Sequence, residues 1–300
     1  MNKPLDKEPI SVSLAVIGGS GAYNLLSGGV LGEKQCTIIH ETPFGKSAPI
    51  HHFRAGNLQY LFLSRHGEKD YSTTASFINY RANIYALKER GVERIISWSG
   101  PGIINTSFKP GDYVLPNDII DETRSRETTF FKKGGIGFIR QNQPFCPQIR
   151  EVVHDSMHTL GFHHHDQAVY ICTEGPRLET PAEIKKFRLI GADLVGMTLV
   201  PELFLARELE MCYASICYLT NFAEGTVTRN YKKGELFEGM QTGQEKAVVE
   251  NSVSRFPIII AGIFLKLSKT NRACQCMHAM RRYKKKGTIN EDWHTWIGPT

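Results

Sequence analysis

Several short strings combine backbone amides, hydroxyls and a fixed positive charge, the groups that hold an oxyanion. Gly18-Gly19-Ser20-Gly21 offers a flexible turn whose successive N–H groups can form an anion-binding nest beside one hydroxyl. It has neither the spacing of a GxGxxG dinucleotide turn nor the lysine of a Walker loop, and such a turn is equally often purely structural. Arg65-His66 brings a planar, permanently charged fork of the kind that grips phosphate through two parallel hydrogen bonds; its alternative is a surface salt bridge. Ser99, with Gly100 and Gly102 after it, adds another hydroxyl and accessible amides. Together the three segments could chelate one phosphate, and no single one of them proves it.

Other candidates have bland readings beside sharp ones. In Thr173-Glu174-Gly175-Pro176-Arg177-Leu178-Glu179-Thr180-Pro181 a carboxylate sits in a turn leading into a helix, which taken alone reads as an N-terminal cap. Gly196-Met197-Thr198 sets a thioether next to a hydroxyl, the pattern of a core methionine at a turn. His163-His164-His165-Asp166 has metal-ligand residue types, but adjacent residues rarely close on one ion, so it reads as an exposed loop. The seven cysteines are odd in number and scattered, which fits reduced thiols in a cytoplasmic protein. Cys274-Gln-Cys276 is the only close pair, and a redox role is its minor reading.

The elements that must position these groups alternate in type. Residues 13–17, 60–64, 94–98, 169–172 and 213–220 read as strands; residues 77–90, closed by Gly91, and 180–190, opening at Thr180-Pro181, read as helices. Residues from about 239 to 267 make a long, mostly helical close. Strands alternating with helices predict one α/β domain around a parallel or mixed central sheet. Ser20, Arg65, Ser99 and Asn221 each follow a predicted strand, where ligands bind in open α/β sheets.

The bulk properties exclude several classes. At 300 residues, 41% apolar and 22% charged, the composition is that of a globular protein with a large core. No run of about 18 apolar residues marks a membrane span, and the first residues lack the pattern of a signal peptide. Much of the net charge of +6 sits in Arg281-Arg282-Tyr283-Lys284-Lys285-Lys286, which reads as the core of a solvated, partly disordered tail over 271–300. No nucleic-acid module is visible elsewhere.

Taken in order, AVIGGSGAYNL, TPFGKSAPI, SRHG, INYRANIYALKERGVERI, KPGDYVLPNDIID, CTEGPRLETPAEI and LIGADLVGMTLVPELFLARELEMCYASICYLTN resemble the purine nucleoside phosphorylase family, specifically its methylthioadenosine phosphorylase branch. The resemblance covers about residues 14 to 225. It implies a single α/β domain over 1–270 with a mixed sheet closing into a barrel-like core, and a homotrimer. It implies phosphorolysis of a purine nucleoside with inorganic phosphate as co-substrate and no metal or organic cofactor. It assigns Ser20, Arg65, His66, Ser99 and Thr198 to phosphate, and Met197 to the ribose. Glu179, Asn221, Gly100 and Ala223 fall to the base. Phosphate would attack C1′ opposite the base, and Asn221 would donate to N7 or O6 of the departing purine.

Adenine-specific members of the branch usually carry aspartates where this chain has Asn221 and Ala223. Asparagine with Glu179 suits a 6-oxopurine, whose N1–H a carboxylate can accept; adenine would face it with a lone pair, an unpaired contact costing about 1–3 kcal/mol. Inosine, guanosine or methylthioinosine are the expected substrates, with methylthioadenosine or adenosine as the alternative. The family's phosphate-side histidine is missing from Glu68-Lys69-Asp70-Tyr71-Ser72-Thr73-Thr74, where Glu68 and Asp70 would repel the anion. Gly100-Pro101-Gly102-Ile103 also departs from the family's turn. A nucleoside-binding paralogue with poor phosphate chemistry is therefore a further alternative. Residues 224–237 should cover the 5′ end of the sugar, where the 5′-hydroxyl and 5′-methylthio readings stay open.

Overall fold

The computed structural model describes residues 12–19, 25–26, 29–68, 72–132, 134–228 and 243–297. In chain order its elements are β1 (Leu14–Gly18), β2 (Glu33–Ile38), β3 (Glu41–Thr42), β4 (Gly45–Lys46), β5 (Ile50–Ala55), β6 (Leu58–Ser64) and α1 (Tyr80–Glu89). Then follow β7 (Arg94–Ser99), β8 (Gly102–Ile103), β9 (Tyr113–Val114), β10 (Asp118–Glu122), α2 (Pro147–Thr159), β11 (His164–His165), β12 (Val169–Thr173), α3 (Pro181–Leu189), β13 (Leu194–Gly196) and α4 (Leu199–Glu208). The chain closes with β14 (Cys212–Tyr218), α5 (Gly243–Ser254), α6 (Phe256–Leu267) and α7 (Arg281–Lys285).

The predicted central sheet is two sheets. Eight strands run in the order β11-β9-β14-β7-β1-β6-β5-β2, and four in the order β10-β12-β13-β8. β6, β1, β7 and β14 are mutually parallel neighbours. Every residue of β1, β7 and β14 is buried. Such strands are largely apolar because helices cover both faces, with Arg94, Ser97 and Ser99 the buried polar exceptions in β7. Ala15 and Ile17 face the core that includes Ile84 of α1 and Leu203 of α4. Leu14 and Val16 face the one that includes Val153 of α2 and Ile260 of α6. The sheets are joined by a bridge between Ile103 and Phe222. A full barrel closure is not formed by the strand pairs of the described residues.

Local signals explain the boundaries. α1 begins at Tyr80 and not at residue 77, because the Asn79 side chain accepts from the Ala82 N–H at 3.2 Å and caps it there. α3 opens with a reciprocal capping box between Thr180 and Glu183. The expected long closing helix is broken into α5 and α6, with Pro257 in the first turn of the second. Gly243–Leu267 as a whole is long and apolar enough to cross a membrane by length and composition. Here the apolarity serves the core: Phe264 packs edge-on against Tyr60 at 5.3 Å and Phe256 against Trp98 at 4.6 Å.

Two expectations need correction. His164 and His165 are not loop residues but the edge strand β11, with the His165 ring 3.1 Å from Asp112. The basic C-terminal segment is not a solvated tail through residue 297. Met280, Tyr283 and Trp296 are buried, and Trp293 packs against Tyr85 of α1 at 5.0 Å. Glu210, held in the left-handed region at φ 56°, organises the docking. Its carboxylate accepts from the Met280 N–H at 3.0 Å and from the Lys284 ammonium at 2.9 Å. Apolar residues interleaved with the basic run decide the outcome, and net charge alone cannot report them.

Candidate active site

A cavity of about 490 Å³ opens beyond the carboxyl ends of the parallel strands, bounded by both sheets. Gly19 follows β1, Arg65 and His66 follow β6, Ser99 ends β7 with Gly100 just after it, and Thr198 leads into α4. The wall also takes Glu179, Met197, Asn221 and Ala223 from the turns around β12, β13 and β14. Every described residue proposed from the sequence for phosphate, ribose or base lines this one space. Ser20 lies outside the described residues, as do Asp70 and residues 229–237 of the segment expected over the 5′ end of the sugar.

Arg65 does not present its whole fork to the cavity. Its Nε and Nη2 meet Glu202 at 2.8 and 3.1 Å, and Nη2 also donates to the Ser97 hydroxyl at 2.8 Å. Nη1 donates to Thr198 Oγ1 at 3.0 Å, tying the arginine to a second cavity hydroxyl. The guanidinium is a fixed, largely neutralised donor plate, and a bidentate clamp through that edge is corrected by the Glu202 contact. Gly19 lets the chain lie close against β7: a side-chain carbon there would sit 2.8 Å from the Trp98 carbonyl oxygen, to which the Gly19 N–H donates at 3.0 Å.

His66 is buried, and its Nδ1 lies 2.9 Å from the Thr73 carbonyl, which requires the proton on that nitrogen. Burial, reinforced by the Arg65 charge, pushes its pKa down to about 4. The ring is neutral at pH 7 with Nε2 as its acceptor nitrogen, so it adds no positive charge. Glu68, expected to repel an anion, turns away: its carboxylate lies 2.9 Å from His51 Nε2, and it is not part of the cavity wall.

On the Glu179 side of the cavity the cap reading of the 173–181 turn is overturned. Thr180 and Glu183 do the capping, whereas Glu179 Oε1 accepts from the Thr173 hydroxyl at 2.6 Å. Glu174 instead accepts from the Arg124 N–H at 2.7 Å and bonds Ser125 at 3.0 Å, bracing a neighbouring loop. Asn221 Oδ1 accepts from the Thr220 hydroxyl at 2.8 Å, and its Nδ2 donates to the Phe222 carbonyl at 3.0 Å. The departing turn at Gly100-Pro101-Gly102-Ile103 underpins it, since Ile103 N–H donates to the Asn221 carbonyl at 2.8 Å and Thr220 N–H to that of Pro101 at 3.2 Å.

Met197 is pinned from two sides. Gly175, at φ 66°, packs where any side-chain carbon would lie 2.5 Å from the Met197 sulfur. Behind it Arg126, nearly buried, donates to the carbonyls of Met197 and Val200 at 2.6 Å each and to that of Glu174 at 2.6 Å.

Arg126, Glu202 and Thr173 were not singled out from the sequence. An acidic residue inside the apolar stretch LVPELFLARE was the available signal for Glu202, because a buried carboxylate requires a cation or several donors. Arg126 sits in an irregular loop with no periodic pattern to mark it.

The sequence profile of the phosphorylase superfamily matches residues 13–252. A 6-oxopurine nucleoside phosphorylase of Pyrococcus furiosus is 39% identical over 275 residues, covering 89% of this chain and 97% of that protein. A protein named a probable S-methyl-5′-thioinosine phosphorylase, of Methanothermobacter thermautotrophicus, is 40% identical over 268 residues and 89% of each chain. Among solved structures, a methylthioadenosine phosphorylase from an antarctic soil metagenomic library superposes with a TM-score of 0.81 at 28% identity, covering 97% of this chain and 99% of that one.

Proposed function

The chain belongs to the phosphorylase superfamily, and from that premise we propose that its cavity cleaves the N-glycosidic bond of purine nucleosides with inorganic phosphate. It is an enzyme of the purine nucleoside phosphorylase kind, a pentosyltransferase yielding free base and a ribose 1-phosphate. The observation that carries the reading is the convergence of Arg65, Ser99 and Thr198 at one end of a cavity whose wall also holds Glu179 and Asn221.

Phosphate takes the end lined by Arg65, Ser99 and Thr198, with Ser20 as a further hydroxyl. Neutral His66 accepts a hydrogen bond, without taking the proton, from a protonated phosphate oxygen or a sugar hydroxyl through Nε2. Because Glu202 balances Arg65, affinity for the anion rests on directed hydrogen bonds as much as on charge. Phosphate attacks C1′ opposite the base, and negative charge grows on the leaving purine. Asn221 donates to N7 or O6 as that charge develops, which stabilises the transition state more than the ground state. Met197 packs under the ribose. Glu179, oriented by Thr173, accepts the N1–H of a 6-oxopurine, and Gly100 and Ala223 shape the base slot. The reaction uses no organic cofactor and no catalytic metal.

The assembly is a homotrimer in the cytoplasm. Phe77, 78% exposed and two residues from Ala75 in the cavity wall, supports a neighbouring subunit covering that edge. The seven cysteines, all free thiols, support a reducing compartment. Light scattering on the purified protein gives the stoichiometry directly.

The deciding experiment is base release from inosine, guanosine, methylthioinosine, adenosine and methylthioadenosine, each with and without phosphate. Phosphate-dependent release from the 6-oxopurines alone is the expected result. Release from adenine nucleosides alone would overturn the base assignment, and nucleoside binding with no cleavage would overturn the phosphate assignment.

A further inference from the structure

Four cysteines that this chemistry does not use converge at the opposite edge of the sheet. Cys146 is the N-cap position of α2, Cys212 opens β14 at its amino end, and Cys274 and Cys276 come from the C-terminal segment. All four are buried and their sulfurs lie within 4.8 Å of one another, with Cys212 and Cys274 at 3.3 Å. A tetrahedral zinc site with Zn–S bonds of about 2.3 Å holds its sulfurs roughly 3.8 Å apart, inside the range seen here. An all-sulfur donor set of this kind selects zinc over oxygen-seeking cations such as magnesium or calcium.

A second observation points the same way. The Arg272 guanidinium lies within hydrogen-bonding reach of Cys212 and within electrostatic reach of Cys274. The rest of that side chain is committed, with Nη2 donating to the Glu210 carbonyl at 2.6 Å and Nη1 3.7 Å from Glu93. A cation aimed at neutral thiols has little to bind. Against a tetrathiolate centre carrying two excess negative charges, it is the outer partner that such sites use to hold and tune their ligands.

We propose that Cys146, Cys212, Cys274 and Cys276 form a structural zinc site that fastens the C-terminal segment to the amino edge of the sheet. Binding forms four Zn–S bonds and releases four protons from the thiols, with no change of oxidation state. The site lies away from the catalytic cavity and stands independently of the proposed reaction. The ion closes a link between chain segments that the Glu210 contacts and the Trp293–Tyr85 packing then extend. Loss of the ion frees that segment first, because metal-binding free energy is folding free energy where the site exists only in the folded chain.

The test measures metal and thiols on the full-length protein purified without a metal-binding tag. The expected content is about one zinc per chain, the stoichiometry of a closed four-thiolate site. A chelator should raise the number of reactive thiols by four. Refolding with Co²⁺ in place of zinc should give the intense visible bands of tetrahedral thiolate coordination. Refolding without metal should leave residues 271–297 open to protease and change the fluorescence of Trp293 and Trp296; added Zn²⁺ should reverse both. Cys276→Ser should lose the zinc, whereas Cys36→Ser, outside the cluster, should keep it. Protein that refolds fully with Zn²⁺ present yet carries none overturns the proposal. So does an intact mass four hydrogens light, the signature of two disulfides.

Discussion

Arg65 and Glu202 form a buried pair behind the candidate phosphate position, Nε to Oε1 at 2.8 Å, with each side chain 1% exposed. Burial pushes the Glu202 carboxyl upward, while the Arg65 charge and the Tyr213 hydroxyl, 2.7 Å away, hold it down. The pair fixes an arginine at the cavity without leaving an uncompensated charge there.

Glu202→Gln should therefore cost about 3–5 kcal/mol of stability, because it leaves the guanidinium buried and unbalanced. Phosphate should restore part of that loss, since the anion supplies the missing charge. Urea unfolding with and without phosphate checks this. An equal loss under both conditions would mean the anion does not sit at Arg65.

Thr173→Val removes the 2.6 Å hydrogen bond that orients Glu179, together with a long 3.5 Å contact to the Gly196 carbonyl. An ordinary hydrogen bond contributes about 1 kcal/mol, so kcat/KM for inosine should fall roughly fivefold. Cleavage of adenosine, for which Glu179 has no proton to accept, should change less. If both substrates lose equally, Glu179 does not read the base.

Asn221→Asp combined with Ala223→Asp should move preference toward the 6-amino purines. The polar mismatch involved is about 1–3 kcal/mol, a change of roughly 5- to 150-fold in the inosine-to-adenosine ratio of kcat/KM. An unchanged ratio in the folded double variant would remove Asn221 from base selection.

His66 sets a pH dependence of stability. Its pKa falls from 6.5 to about 4 on folding, so between those values the unfolded chain binds the proton and the folded one does not. This group's contribution is complete above about pH 6.5 and is lost as the pH drops toward 4, a change of about 3 kcal/mol. Glu208 acts in the opposite sense, because burial pushes its carboxyl up to about 7 and favours the folded state as the pH falls. The wild-type protein compared with His66→Gln isolates the histidine. The stability gap between them should shift by about this amount between pH 7.5 and pH 4, and parallel profiles would show that His66 titrates alike in both states.

The sequence by itself determined the parallel strands β1, β6, β7 and β14, the helices α1 and α3, and the positions of most of the chemistry. Apolar runs such as LAVIG and CYASICY marked strands, and Gly91 and Thr180-Pro181 marked helix ends. Residues just past those strands were marked because parallel strands bring their carboxyl ends to one edge. These signals act over a few residues, so they survive in a linear reading. The split into two sheets, the docking of the C-terminal segment on Glu210 and the Thr173 hydrogen bond that orients Glu179 were decided only in three dimensions. Arg65 and Glu202 are 137 positions apart, and Cys146, Cys212 and Cys274 are contributed by separate elements. No spacing rule links such residues. Burial links them, because a charge or a cluster of thiols removed from water takes its partner from whatever the packing brings beside it.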